Sequence, residues 1–234
     1  DYAANEVDSA LVIVTHPKLW VGAYVYAEYR SGISPNRYNT LVANVEELYQ
    51  QYSGGVAKHP VAIRRFMGHL LDAFETKPQA LFLIGKSVQA ADLGNGEQSG
   101  YRSEGIGDTL ARKNCLVPSF GYPPSDGLLT LGLSGLPWDL TVPVGRLAAI
   151  DNDDVINYKN KLAQFEGQPV AAWMKNILHF RGGLSVSDFS LFEYYLSQYT
   201  PIVEDTCFSG RVTTFRKTLD DNDQIVFAAT DSVY

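Results

Sequence analysis

The sequence predicts an α/β fold: a mostly parallel, doubly wound sheet in residues 1–172, then the start of a second α/β subdomain in residues 173–234. Three features carry that prediction. The runs "ALVIVTHP" (10–17) and "ALFLIGK" (80–86) are short, apolar and rich in branched residues, as strands buried on both faces of a parallel sheet are. Helical text separates them. Near residue 176 the alternation of strand and helix begins again, which suits a second unit.

After the first strand, Trp20, Ala23, Tyr24 and Ala27 give residues 18–30 a loose helical stripe, and "RYNTLVANV" beyond Gly32 reads as the second strand. From Pro60, a first-turn proline, the residues Ile63, Phe66, Met67, Leu70, Leu71 and Phe74 recur at helical spacing and predict one buried stripe. Residues 87–141 string glycines and prolines between short apolar pieces and read as an elaborated surface region. "VPVGRLAA" (142–149) is the next strand. Asp151 is the expected N-cap of the helix that follows, with Asp154 in a capping-box role and Val155, Tyr158, Leu162 and Phe165 on the buried face. Gly167 and Pro169 end it. After a bridge at 170–175 come a strand "NILHF", a helix over "SDFSLFEYYLSQY" with Phe189, Phe192, Leu196 and Tyr199 on one side, and a strand "RVTTFRKT".

Composition narrows the function. The 234 residues are 45% apolar, enough for a proper core, and carry a formal charge of −7. Apart from the Arg64–Arg65 pair there is no basic cluster, so nucleic acid is not an expected partner. No apolar run approaches the roughly 20 residues of a membrane-spanning helix. The opening "DYAANEVDSA" has neither a starter methionine nor a leader pattern and reads as a processed or excised segment.

The chain has two cysteines and four histidines. Cys115 and Cys207 are the one pair available for a disulfide in an oxidising compartment. A catalytic cysteine–histidine pair needs hydrogen-bond reach, and His179 with Cys207 fails on topology. His179 lies late in its strand while Cys207 precedes a parallel neighbour, so the two belong to opposite edges of the sheet. Both therefore read as structural residues. His16 ends a strand, where open α/β sheets place ligands, and is a candidate for the rim of a cleft. His59 and His69 read as solvated. The loops "GNGEQSG" and "GIGDTL" lack the full dinucleotide fingerprint and its strand–helix context. No cofactor is expected; the acidic runs "DNDD" (151–154) and "DDND" (220–223) are at most structural calcium sites, without the complete ligand series.

Five stretches, "DSALVIVTHPKLWVGAYVYAEYRSG", "AIRRFM", "ALFLIGK", "VPVGRLAAIDNDDVINYKNKLAQFE" and "IVEDTCFSGRVTTFRKT", resemble, in order, the amino-terminal part of the gingipain-type cysteine peptidase domain of secreted and cell-surface bacterial proteins. "GRLAA" with its acidic-capped helix is the most specific of them. The resemblance implies two α/β subdomains of caspase-like architecture, the second opened by "NILHFRGG". It also implies a polypeptide substrate and an extracellular or surface location. The family's catalytic histidine and cysteine follow later strands of the second subdomain, so the resemblance places the dyad beyond Tyr234 and makes the remaining carboxyl-terminal part of the domain a partner of this chain. Arg181 stands where the family's stretch is glycine-rich, and at a strand's carboxyl end it is a second cleft-rim candidate. Two rival readings are a non-catalytic α/β binding or scaffold module of a secretion or surface apparatus, and a nucleotide-dependent enzyme resting on the glycine loops alone.

Overall fold

The structure, a computed structural model, describes residues 2, 9–88, 113–121, 123–219 and 225–227. Contacts divide the chain into two units, Asp1–Gly167 and Gln168–Tyr234, a division five residues before the one expected at 172/173.

The first unit is built on four parallel strands, β1 (Ala10–Thr15), β2 (Asn39–Asn44), β3 (Ala80–Ile84) and β4 (Val144–Leu147), in the order β2-β1-β3-β4. All six residues of β1 are buried, as an uninterrupted apolar run requires of a central strand. Its side chains alternate between two cores. Ala10, Val12 and Val14 face the core shared with α2 (Val45–Tyr52) and α3 (Val61–Ala73), while Leu11 and Ile13 face that shared with α1 (Trp20–Glu28) and α4 (Asn152–Glu166). Helices thus cover both faces, giving the doubly wound arrangement. Each large side chain buried this way contributes roughly 1.5–3 kcal/mol. Ile13→Asp would strand a carboxylate in the second core and break the layer.

The α3 stripe is buried at Ile63, Phe66, Met67, Leu70 and Phe74, with Leu71 at its margin. On the opposite face α1 and α4 approach closely because Gly22 lacks a side chain. A Cβ there would lie 2.8 Å from Val155 Cβ and 3.1 Å from the Asn152 carbonyl oxygen. Asn152 locks the crossing by accepting from the Gly22 amide at 2.8 Å and donating to the Lys18 carbonyl.

Several expectations are revised. Asp151 does cap α4, accepting from the Asp154 amide, but the Asp154 carboxylate returns to the Ile150 amide, one residue earlier than a capping box requires. Phe165 is half exposed rather than on the buried face: burial along α4 fades from Val155, fully buried, through Tyr158 and Leu162, partly buried. The segment expected to be surface elaboration supplies core residues: Cys115, Leu116, Val117 and Leu129 are buried. The loops at 94–100 and 105–110 and the acidic run at 220–223 lie outside the described residues.

The last turn of α4 ends on a polar knot. Glu166 accepts from Tyr29 Oη, from Arg30 Nη1 at 2.7 Å and from Ser34 Oγ at 2.8 Å. Its three partners come from the π-helical turn Tyr29–Ile33 and the residue after it. Burial pushes the Glu166 carboxyl up, but these donors outweigh it and hold it below the usual carboxylate range.

The second unit contains a parallel pair, β5 (Asn176–Arg181) and β6 (Arg211–Arg216), joined through α5 (Val186–Val203), then a short antiparallel pair, β7 (Thr218–Leu219) and β8 (Ile225–Phe227). Ser185 and Asp188 form a complete capping box at the start of α5. No α5 residue is buried; Phe192 and Tyr199, expected on a packed side, are exposed. On the sheet face away from α5, Phe180 stacks on Phe215 at 5.3 Å between centroids and remains 51% exposed.

Candidate functional site

In the first unit β1 leads through α1 to β2 on one side of it, whereas β3 leads on to β4 on the other side. The carboxyl edge between β1 and β3 is therefore the switch point at which open α/β sheets bind ligands. Thr15, the last residue of β1, is fully buried and donates through Oγ1 to the Ile84 carbonyl at 3.0 Å, tying the two strand ends together.

His16 follows, turned into a defined position by its neighbours. Its Nδ1 accepts from the Lys18 amide at 3.1 Å, capping the short 3₁₀ turn Pro17–Leu19, so the ring proton belongs on Nε2. Nε2 lies 3.2 Å from Glu46 Oε1. Glu46 is itself placed by the start of α2, where the Asn44 side chain accepts from its amide. Partial burial pushes the His16 imidazole below its ordinary 6.5; Glu46 opposes this, and Lys58 and Lys18 add to it. His16, Glu46, Tyr49, Gln50, Ala57, Lys58 and Leu116 enclose a cavity of about 220 Å³. Lys58 holds a left-handed backbone, φ 57°, and donates through Nζ to the Cys115 carbonyl, joining the α2–α3 loop to the segment after residue 113.

The other half of the edge is organised by Arg146. It is a charged residue inside β4 whose guanidinium finds a partner for every donor. Nε and Nη2 grip the Asp126 carboxylate, both at 2.7 Å; Nη1 donates to the carbonyls of Gly85 at 2.6 Å and Val117 at 2.8 Å; Nη2 also reaches Pro118 at 3.4 Å. Burial raises the Asp126 carboxyl, yet Arg146 more than reverses this and holds it below the ordinary range. Gly85 lets these loops close. At φ 148°, a Cβ there would meet Val117 Cγ2 at 2.8 Å.

The arrangement supplies a neutral imidazole, a carboxylate and an ammonium around a small cavity, backed by a rigid arginine clamp. It can bind a small polar group or a side chain. The described contacts place no thiol on His16: the Cys115 carbonyl takes part, while the residue is buried.

In the second unit His179 pairs in register with Thr214, and its buried Nδ1 has no hydrogen-bond partner. Cys207 is exposed in the turn before β6, its amide held by Asp205 Oδ1. Since β5 and β6 begin together at Asn176 and Arg211, His179 lies about 10 Å along the strands from the edge near which Cys207 sits. No described hydrogen bond joins them, and both cysteines are free. Arg181 turns onto α5, its guanidinium 4.7 Å from the Phe189 ring, 3.7 Å from Glu193 and bonded through Nη2 to the Lys217 carbonyl. His59 is not simply solvated; its Nδ1 accepts from the Val61 amide at the start of α3. His69 is exposed beside the Tyr52 ring.

Sequence reasoning singled out His16 but missed Glu46, Lys58 and Asp126. A signal for the Arg146–Asp126 pair was present: an arginine inside a buried-strand pattern needs a partner. The left-handed Lys58 had none, because nothing in "VAKHP" distinguishes it.

Among the described residues no helix is long and apolar enough to cross a membrane, and no group of three metal-ligating side chains converges. The model of peptidase family C25 matches residues 4–230. Neither the curated proteins nor the solved structures contain a match.

Proposed function

This chain belongs to peptidase family C25, the gingipain family, and from that premise we propose that it is the amino-terminal portion of a cysteine endopeptidase domain whose catalytic dyad lies outside it. The family match over residues 4–230 carries the reading. Two features support it. The described part of the first unit is a doubly covered scaffold, and the candidate thiol–imidazole pair of the second unit is separated by strand direction. A thiolate needs its base within about 3 Å, and neither cysteine has an imidazole hydrogen-bonded to it among the described residues. In this reading polypeptide is the substrate and the parent protein is secreted or held at the bacterial surface. His16 and its cavity form part of the cleft rim, and Arg181 acts by bracing α5 against β5.

A non-catalytic binding module is the second reading, favoured by the His16 cavity, which is equipped to hold a ligand without a nucleophile. Assays on fluorogenic peptides with basic and with apolar P1 residues separate the two. The chain alone is expected to show no thiol-dependent turnover, whereas a longer form carrying the proposed dyad turns over. Turnover by this chain that disappears in Cys115→Ala or Cys207→Ala would refute the placement of the dyad, and an inactive long form would favour the binding module.

A further inference from the structure

We propose that the outer face of α3 and the loop packed beside it, residues 128–141, form a docking site for an extended polypeptide segment that sets an acidic side chain on Arg64 between two bulky apolar side chains. Arg64 is held before any partner arrives. Its Nη1 donates to the carbonyls of Leu128 and Leu131, each at 2.8 Å, which fixes the guanidinium plane. The Nε–Nη2 edge, which can grip a carboxylate with two parallel bonds, has no hydrogen bond or ion pair among the described residues. A fork already immobilised loses little freedom when it binds.

Arg64 stands in the wall of two surface hollows. One, of about 450 Å³, is lined by Phe120, Leu128, Leu131 and Pro137. The other, of about 560 Å³, lies along α3 between Tyr52, His69 and Leu133. Apolar side chains stand on both sides of one carboxylate-binding edge, Leu128 and Leu131 in the first hollow and Tyr52, Val61 and Leu133 beside the polar residues of the second, which suits an internal residue of a chain passing across rather than a chain end. The loop rim adds to this: Leu136, Trp138 and Leu140 are 64%, 89% and 50% exposed within five residues. Charge points the same way. The protein carries −7 overall, yet this face presents Arg64 and Arg65 side by side. Asp72 borders the second hollow two helical turns from Arg64, about 12 Å along the axis, and disfavours a second acidic residue there. A phosphate-backbone partner, by contrast, would meet the repulsion of the whole molecule.

Fluorescence anisotropy of two labelled peptides with blocked ends, one reading Leu-Asp-Phe at its centre and one Leu-Asn-Phe, tests this against the full chain. The aspartate peptide is expected to bind at least about ten-fold tighter, the range of a charge-assisted bidentate contact. Arg64→Gln should reduce that preference below two-fold. Because Arg64 also holds the loop, Trp138→Ser provides an independent variant at a site whose exposure leaves folding untouched, and it should weaken both peptides alike. Equal affinity for the two peptides, no binding at millimolar peptide, an aspartate preference that survives Arg64→Gln, or indifference to Trp138→Ser would each overturn the proposal.

Discussion

Replacing Arg146 with methionine keeps the aliphatic length and removes every donor of the clamp. The carboxylate of Asp126 then loses its partner while its side chain is only 24% exposed, and the carbonyls of Gly85 and Val117 lose theirs. Breaking a buried ion pair by removing one partner costs about 3–5 kcal/mol. Each carbonyl stranded away from water adds about 1–3 kcal/mol. Because Arg146 is itself 13% exposed, water can reach part of the vacated site, so we take a total near the low end, about 5 kcal/mol. Arg146→Lys keeps the charge but not the fork, and should lose about 2 kcal/mol. Urea unfolding should be followed in a Trp173→Phe background, in which fluorescence reports only Trp20 and Trp138 of the first unit. A double-mutant cycle with Asp126→Asn should return a coupling of about 2 kcal/mol between the pair. A loss below about 1 kcal/mol in Arg146→Met, or additivity in the cycle, would show that the loops at the sheet edge close without the clamp.

Gly22→Ala should destabilise the first unit by about 1–3 kcal/mol, read as a lower thermal midpoint, because the new methyl meets Val155 and α1 cannot retreat without losing its Asn152 bonds. The His16 imidazole should titrate below 6.5 in an NMR pH series. Since its folded value is depressed, its contribution is present above pH 6.5 and lost as the pH falls through the folded value, and His16→Asn should lack that component; a value at or above 6.5 contradicts the assignment. Under native conditions iodoacetamide should label Cys207 and spare Cys115, which should become reactive only on unfolding; peptide mapping that finds the reverse would contradict their burial.

The strands of the first unit and its helices other than α2 were legible because each is locally consistent: β1 is branched and apolar throughout, α3 keeps its stripe for three turns, and Asp151 caps where a cap belongs. The second unit was legible as strand, helix and strand but not as a packed body, since amphipathic spacing says which side chains could be buried and not whether anything covers them; α5 makes the difference plain. The site was half legible. His16 follows from a general property of parallel sheets, whereas its cavity depends on a left-handed lysine 42 positions later and on a carboxylate at the start of another helix. Arg146 meets an aspartate on a loop that composition alone marked as surface. Pairings between distant loops leave no periodic trace.

The knot at Glu166 has a mechanical meaning. It sits one residue before the junction of the two units, and the residues just after it, Gly167, Gln168, Pro169 and Val170, are exposed. A pull on the chain from the second unit arrives at the last turn of α4, where hydrogen bonds ordinarily fray first. Here that turn is moored by three side-chain donors to a segment 132–137 residues earlier, which in turn is continuous with α1. Tension would thus be spread into the body of the first unit instead of peeling α4 from its end.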